Sequence, residues 1–590
     1  MCGICGQIDF GDKAASIEKI EAMTKALFNR GPDDLGLHVH GNTALGHRRL
    51  KIIDLSQRAR QPMADNQLGL TIVYNGALYN YDALRSQLTS KGYSFFSSGD
   101  TEVILKAYHA WGPECVKHFN GMFAFAIAHR DSGDVFLARD RLGIKPLYYA
   151  RTNKSLQFAS SLPALLTGGD IDTGIDPVAL HHYMTFHSVV PAPRTILKGI
   201  KKLPPGSTMM VEADGTMTED TYWDLSFVPG PAQSAYQFED WKQLLLIHLR
   251  KAVKRRLKAD VPVGVLLSGG LDSSLIVGLL AEQGQNNLNT FSIGFEDVNG
   301  EAGNEFEYSD HIARHFSTEH HKIQGDATIV LPEMENCVLA MSEPMVSHDC
   351  IGFYLLSKAV SKHLKVVQSG QGADEVFGGY HWYPPMLNAT DAVNDYAHLF
   401  FDSDHADHAK AVHPRFVEED YSLGFVMNHF SSPDADAAVD KALRIDTTVM
   451  LVDDPVKRVD NMTMAWGLEA RVPFLDHELV EFAARIPAEF KIANGGKHIL
   501  KEAAREIIPP KVIDRPKGYF PVPALKYLRG DYLEFVREIM LSPRSVEREL
   551  FNPAFVHQVL EAPDKHITPL NGSRLWQMAT LQYWLTMHRI

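Results

Sequence analysis

The sequence predicts two domains: an α+β sandwich of layered sheets, followed by an α/β doubly wound parallel sheet with helical additions. Three observations carry that prediction. Short alternating strands at 69–74 and 122–129 mix with amphipathic helical patterns at 17–28 and 101–111, which suits a layered sandwich. From Val261 the text changes to a buried apolar run (Val261, Val263, Val265, Leu266, Leu267), a turn of small residues, and a helical pattern through Leu271, Leu275, Ile276, Leu279 and Leu280. Further buried strands at 289–295 and 364–368 alternate with helices, which indicates a parallel sheet with its site at the strands' carboxyl ends.

Composition bounds the function. A chain of 590 residues holds two or more full-sized cores, and 45 % hydrophobic with 22 % charged residues is the balance of a globular protein. The net charge of −14 argues against nucleic acid as the main partner. The sequence shows no run of 18 apolar residues and no basic-then-apolar opening, so neither a membrane nor a secretory route is expected. Five cysteines are too few for a disulfide framework, which sets a reducing cytoplasm as the expectation.

The chain opens MCGICGQIDF. Removal of Met1 would leave Cys2 with a free α-amino group, placing a thiol nucleophile and an amine base in one residue. The rival reading, Cys2 and Cys5 as a zinc or redox pair, needs two more ligands at matching spacing or a preceding strand, and the sequence offers neither. After it come Arg30-Gly31-Pro32-Asp33-Asp34, His47-Arg48-Arg49, Val73-Tyr74-Asn75-Gly76, Ser98-Gly99-Asp100-Thr101-Glu102, and Ala138-Arg139-Asp140-Arg141. Each has an ordinary reading: Asn-Gly is the commonest hairpin turn, and Arg and Asp are usually solvated.

Further along, 176–186 reads as a helix, 207–223 as a hairpin, and 238–258 as a helix whose basic run (Lys251 to Lys258) is a solvated face. The turn Ser268-Gly269-Gly270-Leu271-Asp272-Ser273-Ser274 has the make-up of an anion cradle: helix-start N–H groups, glycines that admit phosphate, and serine hydroxyls. It lacks the GK[ST] ending of a Walker A loop. Asp272 would repel phosphate unless a divalent cation lay between, and Asp374, in the second glycine turn Ser369-Gly370-Gln371-Gly372-Ala373-Asp374-Glu375, supplies a second carboxylate. His320 and His321 point to different faces and share no metal. The segment 402–413, with His405, His408 and His413, reads as a polar surface helix or loop.

In order, these motifs resemble two families. The first ~200 residues are similar to the class II glutamine amidotransferases, which are N-terminal-nucleophile sandwiches. That resemblance implies Cys2 as nucleophile, Asn75 and the Gly76 N–H as oxyanion hole, and Arg49, Ile53, Asn75 and Asp100 as glutamine-binding residues. The remainder resembles the ATP-pyrophosphatase domain of asparagine synthetases, through SGGLDSS, SGxGxDEVFGGY, Arg458 to Met462, Glu469 to Asp476, Lys497 to Lys501 and Arg515 to Gly518. It implies ATP binding by Leu267, Ser268, Gly269, Gly270, Asp272, Ser273, Ser274, Ile293, Ser369 and Gly370, and Mg²⁺ on Asp272 and Asp374. Lys517 is implied at the adenylation transition state, with Glu375 a further catalytic candidate. The expected domains are 1–205 (glutaminase), 206–239 (linker and hairpin) and 240–590 (synthetase). The expected chemistry uses glutamine, ATP and an acceptor carboxylate, with a homodimer as the default assembly.

Two departures bear on specificity. Ala77 stands where asparagine synthetases carry glutamate after the Asn-Gly. Gln371 replaces the glutamate of SGEG that takes a proton from ammonia, and an amide cannot be a base. The runs 380–385 and 185–195 resemble the bacterial N-acetylglutaminylglutamine amidotransferases, which implies that blocked dipeptide as acceptor, with L-aspartate as the alternative. A dead amidotransferase scaffold would predict loss of Cys2, Asp272 or Lys517, and all three are present.

Overall fold

The computed structural model describes residues 2–11, 14–230, 233, 235–297, 303–325, 327–515 and 523–590. The first domain is built on two six-stranded sheets, with helices on the outer face of each. Side by side, one sheet runs Lys201–Lys202, Tyr148–Arg151, Ser155–Ala159, Gly3–Asp9, Thr43–Arg49 and Asp34–His40. The other runs Met217–Thr221, Ser207–Val211, Val135–Arg139, Gly121–His129, Leu70–Leu78 and Met63–Asp65. All their pairings are antiparallel. Alternation aims Ile4, Ile8, Leu45, Val73, Ala124, Leu137 and Phe158 into the layer between the sheets. The opposite faces carry Phe123, Phe125 and Phe136 against helices Tyr81–Ser90 and Asp100–Trp111.

One expectation changes here: the hairpin assigned to a linker is the edge of the second sheet, where Met209 pairs with Leu137. The ordinary reading of Asn75-Gly76 as a hairpin turn does not apply, since both residues lie inside the strand Leu70–Leu78, opposite Ala124 and Phe123.

The second domain has a five-stranded, all-parallel sheet in the order Glu319–Gln324, Asn289–Gly294, Val263–Leu266, Val366–Gln368, Glu469–Arg471. The chain builds outward from Val263–Leu266 in one direction, then returns to its other side at Val366–Gln368. That reversal opens a crevice between the two strand ends, where ligands bind in open α/β sheets. The strand Glu319–Gln324 was not foreseen, because its text, EHHKIQ, is polar; it is a half-exposed edge strand. His320 there meets Thr290 Oγ1 at 2.9 Å, while His321 stacks on Phe291.

Residues 383–464 form a helical addition. Its last stretch, from Ala438–Ile445 to Lys457–Met464, passes through two π-helical segments, Asp446–Met450 and Val452–Val456, the second containing Pro455. Proline lacks the N–H for an α-helical bond, and the wider turns accommodate it. No described helix is long and apolar enough to cross a membrane.

Candidate active sites

Cys2 lies buried at the head of Gly3–Asp9, and its backbone N–H donates to Asn75 Oδ1 at 3.0 Å. Burial pushes its thiol up, against the lowering influence of Arg49, so the resting group is a thiol that needs a base. Asn75 is fully buried, and its Nδ2 has no hydrogen-bond partner among the described residues. A buried donor without a partner costs about 1–3 kcal/mol, so one held beside a nucleophile is a strong binding feature.

Asp100 begins the helix Asp100–Trp111 and accepts from Tyr74 Oη and Leu78 N–H, each at 3.0 Å; burial raises its carboxyl. Arg49 is also buried, but its Nη1 donates to Ser56 O at 2.9 Å and its Nη2 to Asp54 O. The guanidinium that the resemblance implies for glutamine binding thus holds the 54–56 loop. Ile53, half-buried, lies in the same loop.

A charge from the other domain reaches this pocket. Glu469, on the edge strand Glu469–Arg471, is buried and accepts from Arg471 Nε at 2.6 Å. Burial would raise its carboxyl, but the positive charges around it, Arg471 and Lys145 among them, hold it down at about 2. Cys2, Tyr74 and Asp100 are raised chiefly by burial, and the Glu469 charge adds to each.

The second site fills the crevice of the parallel sheet. The helix Leu271–Glu282 starts at Gly270, and its first turn is laced by serines: Ser268 N–H donates to Ser273 Oγ (3.2 Å), Ser268 Oγ meets Ser273 Oγ (3.0 Å), and Gly270 N–H donates to Ser268 Oγ (3.2 Å). Ser274 is buried at the same turn. Gly269 has φ +80°, and a Cβ there would lie 2.5 Å from Ser309 N, so both conformation and space demand glycine. Leu267 N–H donates to Phe291 O at 2.8 Å, which places Leu267 beside the strand carrying Ile293. Ser369 N–H donates to Arg471 O at 2.8 Å, and a Cβ on Gly370 would sit 3.0 Å from Asp272 Cβ. The two glycine turns therefore meet.

Asp272 and Asp374 converge on one ammonium: Lys497 Nζ is 2.7 Å from Asp272 Oδ2 and 2.9 Å from Asp374 Oδ1. Against the cost of burial, the two carboxylates hold that ammonium well above the usual lysine range. Two carboxylates facing one cation are a hard, oxygen-only donor set, and they fit Mg²⁺. Sequence reasoning quoted Lys497 within a motif but gave it no role; its left-handed backbone (φ 54°) at a helix start carried no signal that sequence patterns read. Arg515 was also passed over. Its guanidinium stacks over Tyr308, pairs with Glu305 at 2.7 Å, and stands 3.6 Å from where a Cβ on Gly270 would be. Lys517 lies outside the described residues.

Glu375 is buried beside Asp374 and accepts from Tyr380 Oη at 2.7 Å. Burial, then the charge of Asp374, raises its carboxyl to about 7. The aromatic run after it is more enclosed than open pocket walls would be. Trp382 Nε1 and Tyr383 Oη donate to the buried Asp446 at 2.9 and 2.6 Å, while Tyr380, stacked on Trp382, stays partly exposed and His381 is exposed.

Between the two sites runs a buried ionic seam. Asp460 accepts from Arg30 Nη1 (2.9 Å) and Lys145 Nζ (3.1 Å), and Arg30 Nε also reaches Cys2 O at 3.4 Å. Lys202 pairs with Asp453 (2.6 Å) and Glu343 (3.1 Å). A small cavity opens here, lined by Arg139, Tyr148, Lys202, Asp453, Lys457 and Asp460.

Comparison with known proteins shows the family. A glutamine amidotransferase domain model matches residues 1–223, and the asparagine synthase model matches 245–586. The chain is 31 % identical to asparagine synthetase [glutamine-hydrolyzing] 1 of Bacillus subtilis (strain 168), over 99 % of this chain and 96 % of that protein. It is 31 % identical to asparagine synthetase [glutamine-hydrolyzing] 3 of the same strain, over 95 % and 93 %. A putative asparagine synthetase [glutamine-hydrolyzing] 2 of Methanocaldococcus jannaschii is 36 % identical, over 64 % of this chain and 76 % of that one. The chain belongs to the glutamine-hydrolysing asparagine synthetase family and is a glutamine-dependent, amide-forming ligase.

Proposed function

We propose that this ligase hydrolyses glutamine at Cys2, adenylates an acceptor carboxylate with ATP at the SGGLDSS turn, and aminates the adenylate with the released ammonia. The observation that carries this reading is the pairing, in one chain, of a buried thiol beside the partnerless Asn75 Nδ2 with an aspartate pair meeting over an anion cradle. In the first site, the α-amino group exposed by loss of Met1 takes the thiol proton. The sulfur adds to the amide carbon, and Asn75 Nδ2 and the Gly76 N–H receive the oxyanion. Ammonia leaves, and water releases glutamate. Asp100 and Arg49 frame the pocket for the substrate's α-ammonium and α-carboxylate.

In the second site, the acceptor carboxylate oxygen attacks the α-phosphorus of ATP and pyrophosphate leaves. The serine-lined turn and Arg515 hold the departing phosphates. Mg²⁺, held by Asp272 and Asp374, would neutralise their charge when bound. Lys497, already at that point, is a fixed cation for the same charge. Ammonia then adds to the acyl carbon and AMP departs. Gln371 cannot accept the ammonium proton, and Glu375, with its carboxyl near 7, is the base we assign to that step.

For the acceptor, Gln371 in place of glutamate and the partly open Tyr380 support N-acetylglutaminylglutamine. A second reading, L-aspartate, is supported by the enclosure of Trp382 and Tyr383 and by the names of the relatives. The test is ATP-dependent pyrophosphate release with ammonia supplied. Release with the dipeptide alone supports the first acceptor, and release with aspartate alone supports the second. Silence with both, while glutamine is still hydrolysed, overturns both.

A further inference from the structure

Away from both active sites, three helices bring a set of histidines together. His181 lies on Pro177–Thr185, at the end of the first domain; His405 opens His405–Ala411; Asp420 caps the start of Tyr421–Phe430. His181 Nε2 is 3.1 Å from His405 Nδ1 and 3.8 Å from Asp420 Oδ1. One ligand atom from each of the three lies within 4.8 Å of the others. Two nitrogens bound to one tetrahedral zinc at about 2.0–2.1 Å stand about 3.3 Å apart, so this is the spacing of a shared ion.

A second observation points the same way. His408, one turn after His405, is fully buried, with its ring centroid 4.4 Å from that of His181. Neither of its nitrogens has a hydrogen-bond partner among the described residues. The 402–413 segment is thus not the wholly surface feature its polar text suggests. Two orphan nitrogens on one buried imidazole are costly unless a ligand uses them.

The groups behind His181 suit metal binding. Thr185 Oγ1 donates to His181 O at 2.8 Å, so its own proton is committed. Ser422 Oγ can then donate to Thr185 Oγ1 (2.7 Å) and accept from the Nδ1–H of His181 (3.1 Å) and of His182 (2.9 Å). That arrangement leaves His181 Nε2 as a bare lone pair aimed at His405 and Asp420, as second-shell bonds set metal-ligand tautomers.

We propose that His181, His405 and Asp420 bind a zinc ion that pins the end of the first domain to the helical addition, with water completing the shell from the exposed side. Two imidazoles and one carboxylate suit zinc or a similar borderline transition metal, and they do not suit Mg²⁺. The alternative is a plain N–H···N bond between His181 and His405 with no ion.

Full-length Cys2→Ala protein, which removes the catalytic thiol as a competing ligand, is stripped with chelator and titrated with Zn²⁺ in excess Mg²⁺. The expected result is one zinc per chain, a rise in Tm on zinc addition, and a Co²⁺ derivative with d–d bands but no thiolate charge-transfer band. The further variant His405→Ala, at a half-exposed helix start, is expected to bind zinc ~10–100-fold more weakly and to lose the Tm response. If its Tm in chelator matches the parent's, loss of folding is not the cause; if it does not, Asp420→Asn takes its place. Equal zinc affinity in parent and variant, or no uptake by the parent at micromolar Zn²⁺, overturns the proposal.

Discussion

Asn75 is the residue whose environment makes the firmest demand, because its Nδ2 is buried without a partner among the described residues while its Oδ1 is held by the Cys2 N–H. Its substitution to Ala is expected to lower kcat for glutamine hydrolysis by about 10²–10³, with a much smaller change in KM, since an oxyanion donor acts in the transition state. Equal loss in kcat and in glutamine binding would assign it to substrate positioning instead. Glu375 makes the second prediction. Burial and Asp374 put its carboxyl near 7, so it is protonated below that pH and a competent base above it. Ammonia-dependent synthesis, measured with free NH₃ held constant, is expected to rise through pH 7 and to lose that rise in Glu375→Gln. An unchanged profile in the variant removes Glu375 as the base. Short motifs, through the family resemblance they carry, singled out Cys2, Asn75, Asp100, Asp272 and Asp374 in the sequence, and the structure buries the first three together and brings the last two onto one ammonium. Lys497 was given no role, because its meaning comes from the two carboxylates it meets, 225 residues away in the case of Asp272.

At the scale of elements, strand–turn–helix punctuation made the doubly wound sheet readable: apolar runs marked its central strands and glycines marked their ends. The polar edge strand Glu319–Gln324 and the π-helical segments escaped, since an edge needs little apolar text and a π turn has no sequence period of its own. The hairpin read at 207–223 was recognised as a hairpin but not as part of a sheet, because strand pairing is a tertiary fact. The Gly269 turn carries a prediction at this scale. Gly269→Ala would force a side chain into φ +80° and against Ser309 N at 2.5 Å. The left-handed conformation alone costs roughly 1–2 kcal/mol, and the clash adds to it. We expect a lower Tm together with a loss of ATP-dependent pyrophosphate release larger than the loss of glutamine hydrolysis. Equal loss of both activities would mean that the turn serves general stability rather than the phosphate cradle.

Across the whole molecule, the seam between the two sites is built from charges that neither domain could bury alone. Asp460 belongs to the synthetase domain, while its partners Arg30 and Lys145 belong to the glutaminase domain. Against the cost of burial, those two cations hold the Asp460 carboxyl below the usual carboxylate range. Its contribution to stability is therefore present above the unfolded carboxylate pKa and lost as pH falls through the lowered folded value. Breaking one partner of a buried pair costs about 3–5 kcal/mol, because the remaining charges stay buried. Asp460→Asn removes the charge while keeping the shape, which leaves Arg30 and Lys145 repelling each other beside the Cys2 carbonyl. If the seam carries ammonia between the sites, the variant should keep ammonia-dependent synthesis, yet hydrolyse more than one glutamine per amide formed. The measurement is the ratio of glutamate to amide product at saturating ATP and acceptor, set against the rate with ammonium salt. A ratio that stays at one while both rates fall together would make the seam a structural clasp. A ratio above one with the ammonium rate intact would mean that nitrogen escapes where the two domains meet.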